Sequence, residues 1–343
     1  MILYDPLLPV SLAEFGIQIP LSNSRVVKTY KSLCADPKLG PEVRRWHVAA
    51  IDERLGREDL LRVHTPSYVA QLYSPGLETQ IVATYELIDS QGNYYRYAPA
   101  IARCPLSELF GRILITAAGT LQCARMALEH GFCFYFSGGM HHAHGDHGSG
   151  FCLINDVVIA VRRLQQHDAI GRVWVIDVDA HKGDGTAALT ADDPSIATLS
   201  IHMAAGWPLD RPRRLASGKR NPVFTPSTID IPVGVGEDEH YVARLEGGLR
   251  YLDQLPRPDL SVVLCGADPY QEDALASTAD LRLSLAQLFA RDRLVYHFLK
   301  KRSIPAAFLM AGGYGEKVWK VYLQFLRYVL YDRLMLTDST QEA

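Results

Sequence analysis

Side chains that could bind a metal ion follow an apolar run in the middle of the sequence. Residues 173–176 are apolar, and they are followed at once by Asp177, Asp179 and His181. Because side chains alternate along an extended chain, these three groups would leave a strand on one side. Carboxylates and imidazoles are ligands for zinc and ferrous iron. The run therefore predicts a strand that ends in metal ligands.

Reactive side chains leave three other apolar runs in the same way. His141 and His142 follow the run 132–136 on a glycine turn. Asp268 ends a β-branched run, and Tyr314 leaves a glycine turn after the last apolar run. In open parallel α/β sheets, ligands bind outside the carboxyl ends of the strands. Four strand ends that present reactive groups therefore predict one shared site.

This set of residues is suited to amide hydrolysis. Three of them would bind one zinc or ferrous ion and leave a position open: Asp179, His181 and Asp268. Such an ion lowers the pKa of bound water to about 7 and polarises a carbonyl. His142, oriented by Asp184, would take the proton of that water and return it to a leaving amine. Tyr314 would donate a hydrogen bond to the oxyanion. His144 and His147 are predicted to be loop residues at the rim.

The elements that must position these residues alternate between strands and helices. A strand at 132–136, a helix at 155–167 and a strand from Val173 form a predicted βαβ unit, which implies a parallel sheet. A further strand is predicted at 196–202. The first hundred residues are predicted to be helical and irregular. The predicted fold class is α/β, with a central parallel β-sheet flanked by helices on both faces.

Composition favours one domain over the whole chain, 1–343. The chain is 48% hydrophobic and contains no linker-like tract or repeat. Its net charge of -3 is too small to indicate a polyanion partner, so nucleic acid is not expected. The basic residues between 211 and 220 are predicted to be solvated surface.

Cysteine usage and hydropathy bear on the compartment. None of the six cysteines forms a Cys-x-x-Cys pair, and several lie in apolar runs, as buried reduced thiols do. No uncharged apolar run approaches the ~20 residues of a membrane span, and the N-terminus lacks a signal-peptide pattern. We expect a cytoplasmic protein with no membrane partner. A homo-oligomer is compatible with the sequence.

The sequence resembles the zinc-dependent histone deacetylase superfamily. Matching motifs extend over roughly 60–314 and are specific in combination: 138–142, 150–156, 177–185, 266–268 and 312–314. Within the superfamily the chain is most similar to class IV enzymes and their bacterial relatives. The resemblance implies the arginase/deacetylase fold and the same roles for the ligands, for His142 and for Tyr314.

The resemblance also implies roles that the residue pattern alone does not give. Asp177 would hold His141 as a second imidazole, and Asp184 would hold His142. A structural potassium ion would lie near four residues: Asp177, Asp179, His181 and Ser200. An acyl tunnel would be formed by Gly150, Phe151 and Trp207, with Phe151 and Trp207 as facing walls and Leu275 at the rim.

The acyl group and the substrate stay open at this point. The glycine run before Tyr314 is shorter than in the family, and the loop that carries Trp207 is one residue shorter than in class I members. Class IV resemblance favours long fatty acyl groups, while the bulk of Trp207 favours acetyl. The expected substrate is an acyl-lysine or a small acylated amine.

Three alternative functions share parts of this residue pattern. A ureohydrolase would need further carboxylates for a second metal, and Gly183 and Tyr270 occupy those positions. An acetylpolyamine amidohydrolase would share every catalytic residue and differ in acids at the rim that select a cationic substrate. A non-catalytic binding module would lack ligands or the tyrosine, and none is missing here.

Overall fold

The computed structural model of the chain describes residues 1–8, 11–167 and 170–338. It contains eight strands: β1 Ile2–Leu3, β2 His47–Val48, β3 Phe132–Tyr135, β4 Val173–Asp177, β5 Ile196–Met203, β6 Ile229–Val233, β7 Leu260–Leu264 and β8 Ala306–Leu309. The α-helices are α1 Ser24–Cys34, α2 Val43–Trp46, α3 Arg57–Leu61, α4 Pro66–Leu72, α5 Leu77–Thr84, α6 Leu109–His130, α7 Asp156–His167, α8 Asp184–Thr190, α9 Tyr241–Leu252, α10 Leu285–Lys301 and α11 Trp319–Asp338.

All eight strands form one parallel sheet in the order β2-β1-β3-β8-β7-β4-β5-β6. The predicted α/β fold class with a parallel sheet is therefore confirmed. The predicted βαβ connection from β3 to β4 exists, but these strands are not neighbours, because β8 and β7 lie between them.

Each face of the sheet is covered by its own apolar cluster. Phe134 in β3 and Trp174 in β4 point to the face that packs against α9, α10 and α11. Cys133 and Val175, which neighbour these two residues in the sequence, point to the face that packs against α6 and α7. Strands buried on both faces read as continuous apolar runs, which is why these strands could be recognised from sequence.

Three strands were not predicted. The first hundred residues were predicted to be helical and irregular, with no strand assigned where β1 and β2 lie. Two-residue strands are too short to carry a periodic signal. The edge strand β6 contains Pro232, which cannot donate to the ladder and weakens a strand pattern. Within the described residues, no helix is both long and apolar enough to cross a membrane.

Candidate metal centre and active site

Three buried side chains meet beyond the carboxyl ends of β4 and β7. Ligand atoms of Asp179, His181 and Asp268 all lie within 4.8 Å of one another. The Nδ1 atom of His181 is 3.1 Å from Oδ2 of Asp268 and 3.3 Å from Oδ1 of Asp179. The fold thus brings together the three residues that the sequence analysis selected as ligands.

Two glycines allow the carboxylates to approach the backbone this closely. A Cβ atom at Gly266 or at Gly312 would lie 2.4 Å from Oδ2 of Asp179. The backbone N–H of Gly312 donates to the same oxygen at 3.1 Å. A side chain at either position would therefore displace a ligand, which gives the shortened glycine run a function in the site.

The charges of this cluster fit a divalent cation. Burial lowers the pKa of His181, but hydrogen bonds to Asp179 and Asp268 raise it to about 10. Burial and the neighbouring Asp179 raise the pKa of Asp268 to about 6. Two carboxylates this close together favour a positive charge between them. Two oxygen ligands and one imidazole suit zinc, and they leave a position for water or substrate.

The turn after β3 presents two histidines with separate carboxylate partners. Nδ1 of His141 donates to Oδ2 of Asp177, and Nδ1 of His142 donates to Oδ1 of Asp184, both at 2.6 Å. Because a carboxylate only accepts, each Nδ1 carries a proton, and Nε2 is the ring nitrogen that each histidine has left for other partners. Asp156 fixes the turn by accepting from the backbone N–H groups of residues 139 and 140.

The two histidines have opposite electrostatic environments. Although burial lowers the pKa of His141, Asp177 and Asp179 raise it to about 9. Burial and the charge of His141 lower the pKa of His142 to about 3, against the effect of Asp184. Hydrogen bonds from two histidines hold the pKa of Asp184 well below its usual value despite its burial. His142 is therefore a neutral imidazole that can accept a proton.

His144 does not lie at the rim, where it was expected. It is buried, and its Nε2 donates to Oδ2 of Asp184 at 3.0 Å. Its ring stacks on His147, which is partly exposed, and its backbone carbonyl accepts from Nδ1 of His64. Asp184 is therefore shared between His142 and His144. The prediction for His144 was wrong because a histidine in a Gly-rich segment gives no sign of a buried partner.

Tyr314 is fixed from its backbone. Its N–H donates at 2.6 Å to Oδ2 of Asp273, whose other oxygen accepts from the N–H of Leu275. The ring lies edge-on to Phe151, with centroids 6.4 Å apart. Burial raises the pKa of the Tyr314 hydroxyl well above its ordinary value, so this group stays a hydrogen-bond donor.

A cavity of about 500 Å³ adjoins this site. His142, Asp179, His181, Phe151 and Tyr314 are among the residues that line it. It extends past the site between the N-terminal segment and α6 and reaches the surface beside a leucine that is 86% exposed, at position 7.

Trp207 has a different position from Phe151. Its ring lies edge-on to His142, with centroids 4.5 Å apart, and 5.4 Å from the ring of His181. The indole covers Gly150, where a Cβ atom would approach it to 2.3 Å. Phe151 lines the cavity, whereas Trp207 and Leu275 do not. The structure thus places Trp207 over the histidines instead of along the cavity.

Ser200 occupies the strand next to the metal ligands. It pairs with Asp177 across β4 and β5, and its hydroxyl oxygen is buried without a hydrogen-bond partner in the described residues. A buried polar atom of this kind requires a partner, and a cation such as potassium would supply one. The implied potassium position therefore fits the side chains that surround it.

Comparison with known families agrees with this arrangement. The sequence profile of the histone deacetylase domain matches residues 19–327. The chain belongs to the histone deacetylase family. The resemblance stated from the motifs is thereby confirmed, while membership of a class IV-like group stays a prediction.

Three relatives of this histone deacetylase family chain cover different shares of it. An uncharacterised protein of Picosynechococcus is 34% identical over 60% of this chain and 64% of its own length. Histone deacetylase 2 of Arabidopsis thaliana is 29% identical over 77% of this chain and 62% of its own. Histone deacetylase 2 of Oryza sativa is 28% identical over 91% of this chain and 57% of its own. The chain therefore matches less than two thirds of the length of each.

Three residues that support this site were given no role in the sequence analysis. Asp156 and Asp273 hold the turns that carry the histidines and the tyrosine. Buried Arg25 in α1 donates to the carbonyls of Ala311 and Gly313 at 2.8 and 3.2 Å. Asp156 begins α7, and an acid at the start of a helix is already explained by the helix dipole. Nothing in the sequence links position 25 to position 311.

Proposed function

We propose that the protein is a zinc-dependent deacylase that removes an acyl group from the side-chain amine of acyl-lysine or a related acylated amine. The observation that carries this proposal is a cluster of three buried potential ligands beside a cavity that is also lined by an imidazole with a lowered pKa and a tyrosine with a raised pKa. Membership of the histone deacetylase family, and relatives named histone deacetylases, support the same reaction class.

Asp179, His181 and Asp268 would hold the zinc ion, and ferrous iron suits the same ligands. Bound there, the ion would act as a Lewis acid on the amide carbonyl and increase the acidity of water. Potassium would be held near a set that shares Asp179 and His181 with the zinc ligands: Asp177, Asp179, His181 and Ser200. Its proximity to Asp177 would fix the carboxylate that orients His141.

His142 would act as general base and then as general acid. Its Nδ1 is committed to Asp184, so Nε2 is the atom that accepts the proton of the attacking water. Asp184 stabilises the imidazolium that forms. The same Nε2 then returns the proton to the leaving amine. His141, held by Asp177, would donate to the water and keep it in place.

Tyr314 would stabilise the oxyanion. Its hydroxyl stays protonated because burial raises its pKa, and a donor aimed at developing charge in a buried site contributes about 10²–10³ in turnover. Asp273 would hold the backbone of Tyr314 and so fix the direction of the ring.

The cavity favours an acyl group longer than acetyl. Beyond the site its wall is formed largely by apolar side chains: Leu12, Ile19, Leu21, Ile113, Phe136 and Met140. Each methylene buried there would contribute about 0.8 kcal/mol, close to fourfold in affinity. Trp207, whose bulk favoured acetyl in the sequence analysis, does not line the cavity. We therefore propose a class IV-like preference for medium or long acyl chains.

We expect kcat/KM to rise from acetyl to octanoyl by at least ~10-fold on one acyl-lysine peptide, since several methylenes would be buried. The measurement is a series of acetyl, octanoyl and myristoyl peptides with the zinc-loaded protein. Ile113→Phe fills part of the cavity and should lower kcat/KM for the octanoyl peptide more than for the acetyl peptide. A steady fall in kcat/KM from acetyl onward would contradict the long-chain preference while leaving deacylation intact.

His144→Leu is expected to lower kcat about tenfold with little change in KM, because Asp184 loses one of its two donors and holds His142 less firmly. His144→Gln keeps a donor amide near the same oxygen and should retain most of the activity. Equal losses in both variants would mean that His144 serves only to fill space.

A further inference from the structure

A cationic hairpin lies next to the site. Residues 211–220 contain five basic side chains and no acidic one, in a chain whose net charge is -3: Arg211, Arg213, Arg214, Lys219 and Arg220. Leu215 and Lys219 are joined by a backbone hydrogen bond of 2.9 Å, and Arg214 pairs antiparallel with Arg220. We call residues 211–220 the basic hairpin.

The basic hairpin is attached to the residue that covers the catalytic histidines. The guanidinium of Arg211 lies 5.6 Å from the centre of the Trp207 ring. Trp207 in turn contacts His142, with ring centroids 4.5 Å apart. Asn221 fixes the base of the hairpin, since its side chain donates to the carbonyl of Pro212. The indole of Trp207 therefore lies between the Arg211 cation of the hairpin and the ring of His142.

The charge of the basic hairpin is not neutralised within the described part of the chain. None of its five cations forms an ion pair there, whereas Arg96, which lies over the ring of Phe151, is paired with Glu86. Asp210 directly precedes the hairpin in sequence, and Oδ2 of Asp280 would lie 4.0 Å from a Cβ atom at Gly206, in the segment before it. The sequence analysis predicted that these cations form a solvated surface. Solvation alone does not explain why cations without acidic partners are grouped beside the site.

We propose that the basic hairpin binds acidic residues that flank the acyl-lysine of a protein substrate. The inference rests on the proposed deacylase function and names its substrate class. An extended peptide advances about 3.3 Å per residue, so side chains one to three positions from the acyl-lysine can reach the hairpin. Opposite charges at a rim raise the association rate and select among substrates.

The same charges oppose the polyamine alternative. An acetylpolyamine carries free ammonium groups, which the basic hairpin repels, and such a substrate would call for acids at the rim. A lysine tail rich in further lysines would be repelled for the same reason. The charges of the basic hairpin therefore favour a negatively charged acyl-lysine peptide over an acylated polyamine.

Binding of matched peptides tests the inference independently of turnover. The probes are octanoyl-lysine peptides with two acidic, neutral or basic residues on each side, in which a methylene replaces the amide N–H so that they cannot be cleaved. Kd is measured by fluorescence anisotropy with the full-length, zinc-loaded protein. A single-stranded oligonucleotide of similar length serves as the competing polyanion.

The charge-removal variant combines Arg213→Gln, Arg214→Gln and Lys219→Gln, and thermal unfolding checks that it folds. The matched control combines Arg250→Gln, Arg257→Gln and Lys301→Gln, three exposed cations away from the site, on α9, before β7 and at the end of α10. Both variants lose the same charge, so a difference between them reports the position of the charge.

We expect the acidic peptide to bind at least ~10-fold more tightly than the basic one at low ionic strength. This difference in Kd should be lost in the hairpin variant and kept in the control. It should also be screened at 1 M salt, where the Debye length is about 3 Å. Equal Kd values, a preference that survives in the hairpin variant, or tighter binding of the oligonucleotide would each overturn the inference. Cleavage of the corresponding amide peptides is measured in parallel. Acidic preference without cleavage would refute the deacylase and leave the surface standing.

Discussion

Asp268→Ala should reduce bound metal from one equivalent per chain to none and lower turnover by at least ~10³-fold. Asp268 supplies one of three ligand atoms within 4.8 Å, and two ligands are too few to hold a zinc ion against water. The Lewis acid contributes several kcal/mol to the reaction, and each 1.36 kcal/mol is a factor of ten. Metal content by mass spectrometry and turnover of one octanoyl-lysine peptide measure both effects.

Asp36→Asn is the matched control for this prediction. Asp36 is also a buried, hydrogen-bonded carboxylate, but it pairs with Tyr331 and Arg327, on the helix that ends the described chain. The variant should keep its metal. A wild-type protein that binds two equivalents, both needed for activity, would contradict a single-metal centre and favour the ureohydrolase alternative, despite the absence of carboxylates at positions 183 and 270.

The fold class could be predicted because the central strands are buried on both faces. β4 is an apolar run that ends at Asp177, and β7 is an apolar run interrupted only by Ser261 and followed four residues later by Asp268. Parallel strands end at a common edge, so the sequence indicated which side chains would converge before any distance was known. Fold class and family are confirmed, while the roles of the individual residues stay predictions.

The parts that were missed depend on contacts between distant residues. Asp184 has its histidine partners in a turn about forty positions earlier, and only the fold shows that His144 shares it with His142. Asp273 and Arg25 act on the backbone of the turn around Tyr314, and such contacts leave no periodic pattern. The position of Trp207 also follows from tertiary packing, since it lies over Gly150.

His142→Ala should lower kcat by at least ~10²-fold while one equivalent of zinc stays bound. A general base contributes about 10²–10⁴ in rate, and the Nε2 atom of His142 is the acceptor that its bond to Asp184 leaves free. His142 is outside the ligand set, so its removal should not release the metal. KM should change little, because the apolar side chains that would hold the acyl chain are unaltered.

Added imidazole separates a lost base from a disturbed site in the His142→Ala variant. Truncation of the ring leaves space beside Asp184 and Trp207, which contact it on two sides. Free imidazole that enters this space can hydrogen-bond to Asp184 and accept the proton, so turnover should recover in part and saturate with imidazole concentration. No recovery should occur in Asp268→Ala, where the ligand set itself is broken. Near-normal turnover of His142→Ala without imidazole would transfer the role of base to another group, and His141, with its ring 3.9 Å away, would be the residue to replace next.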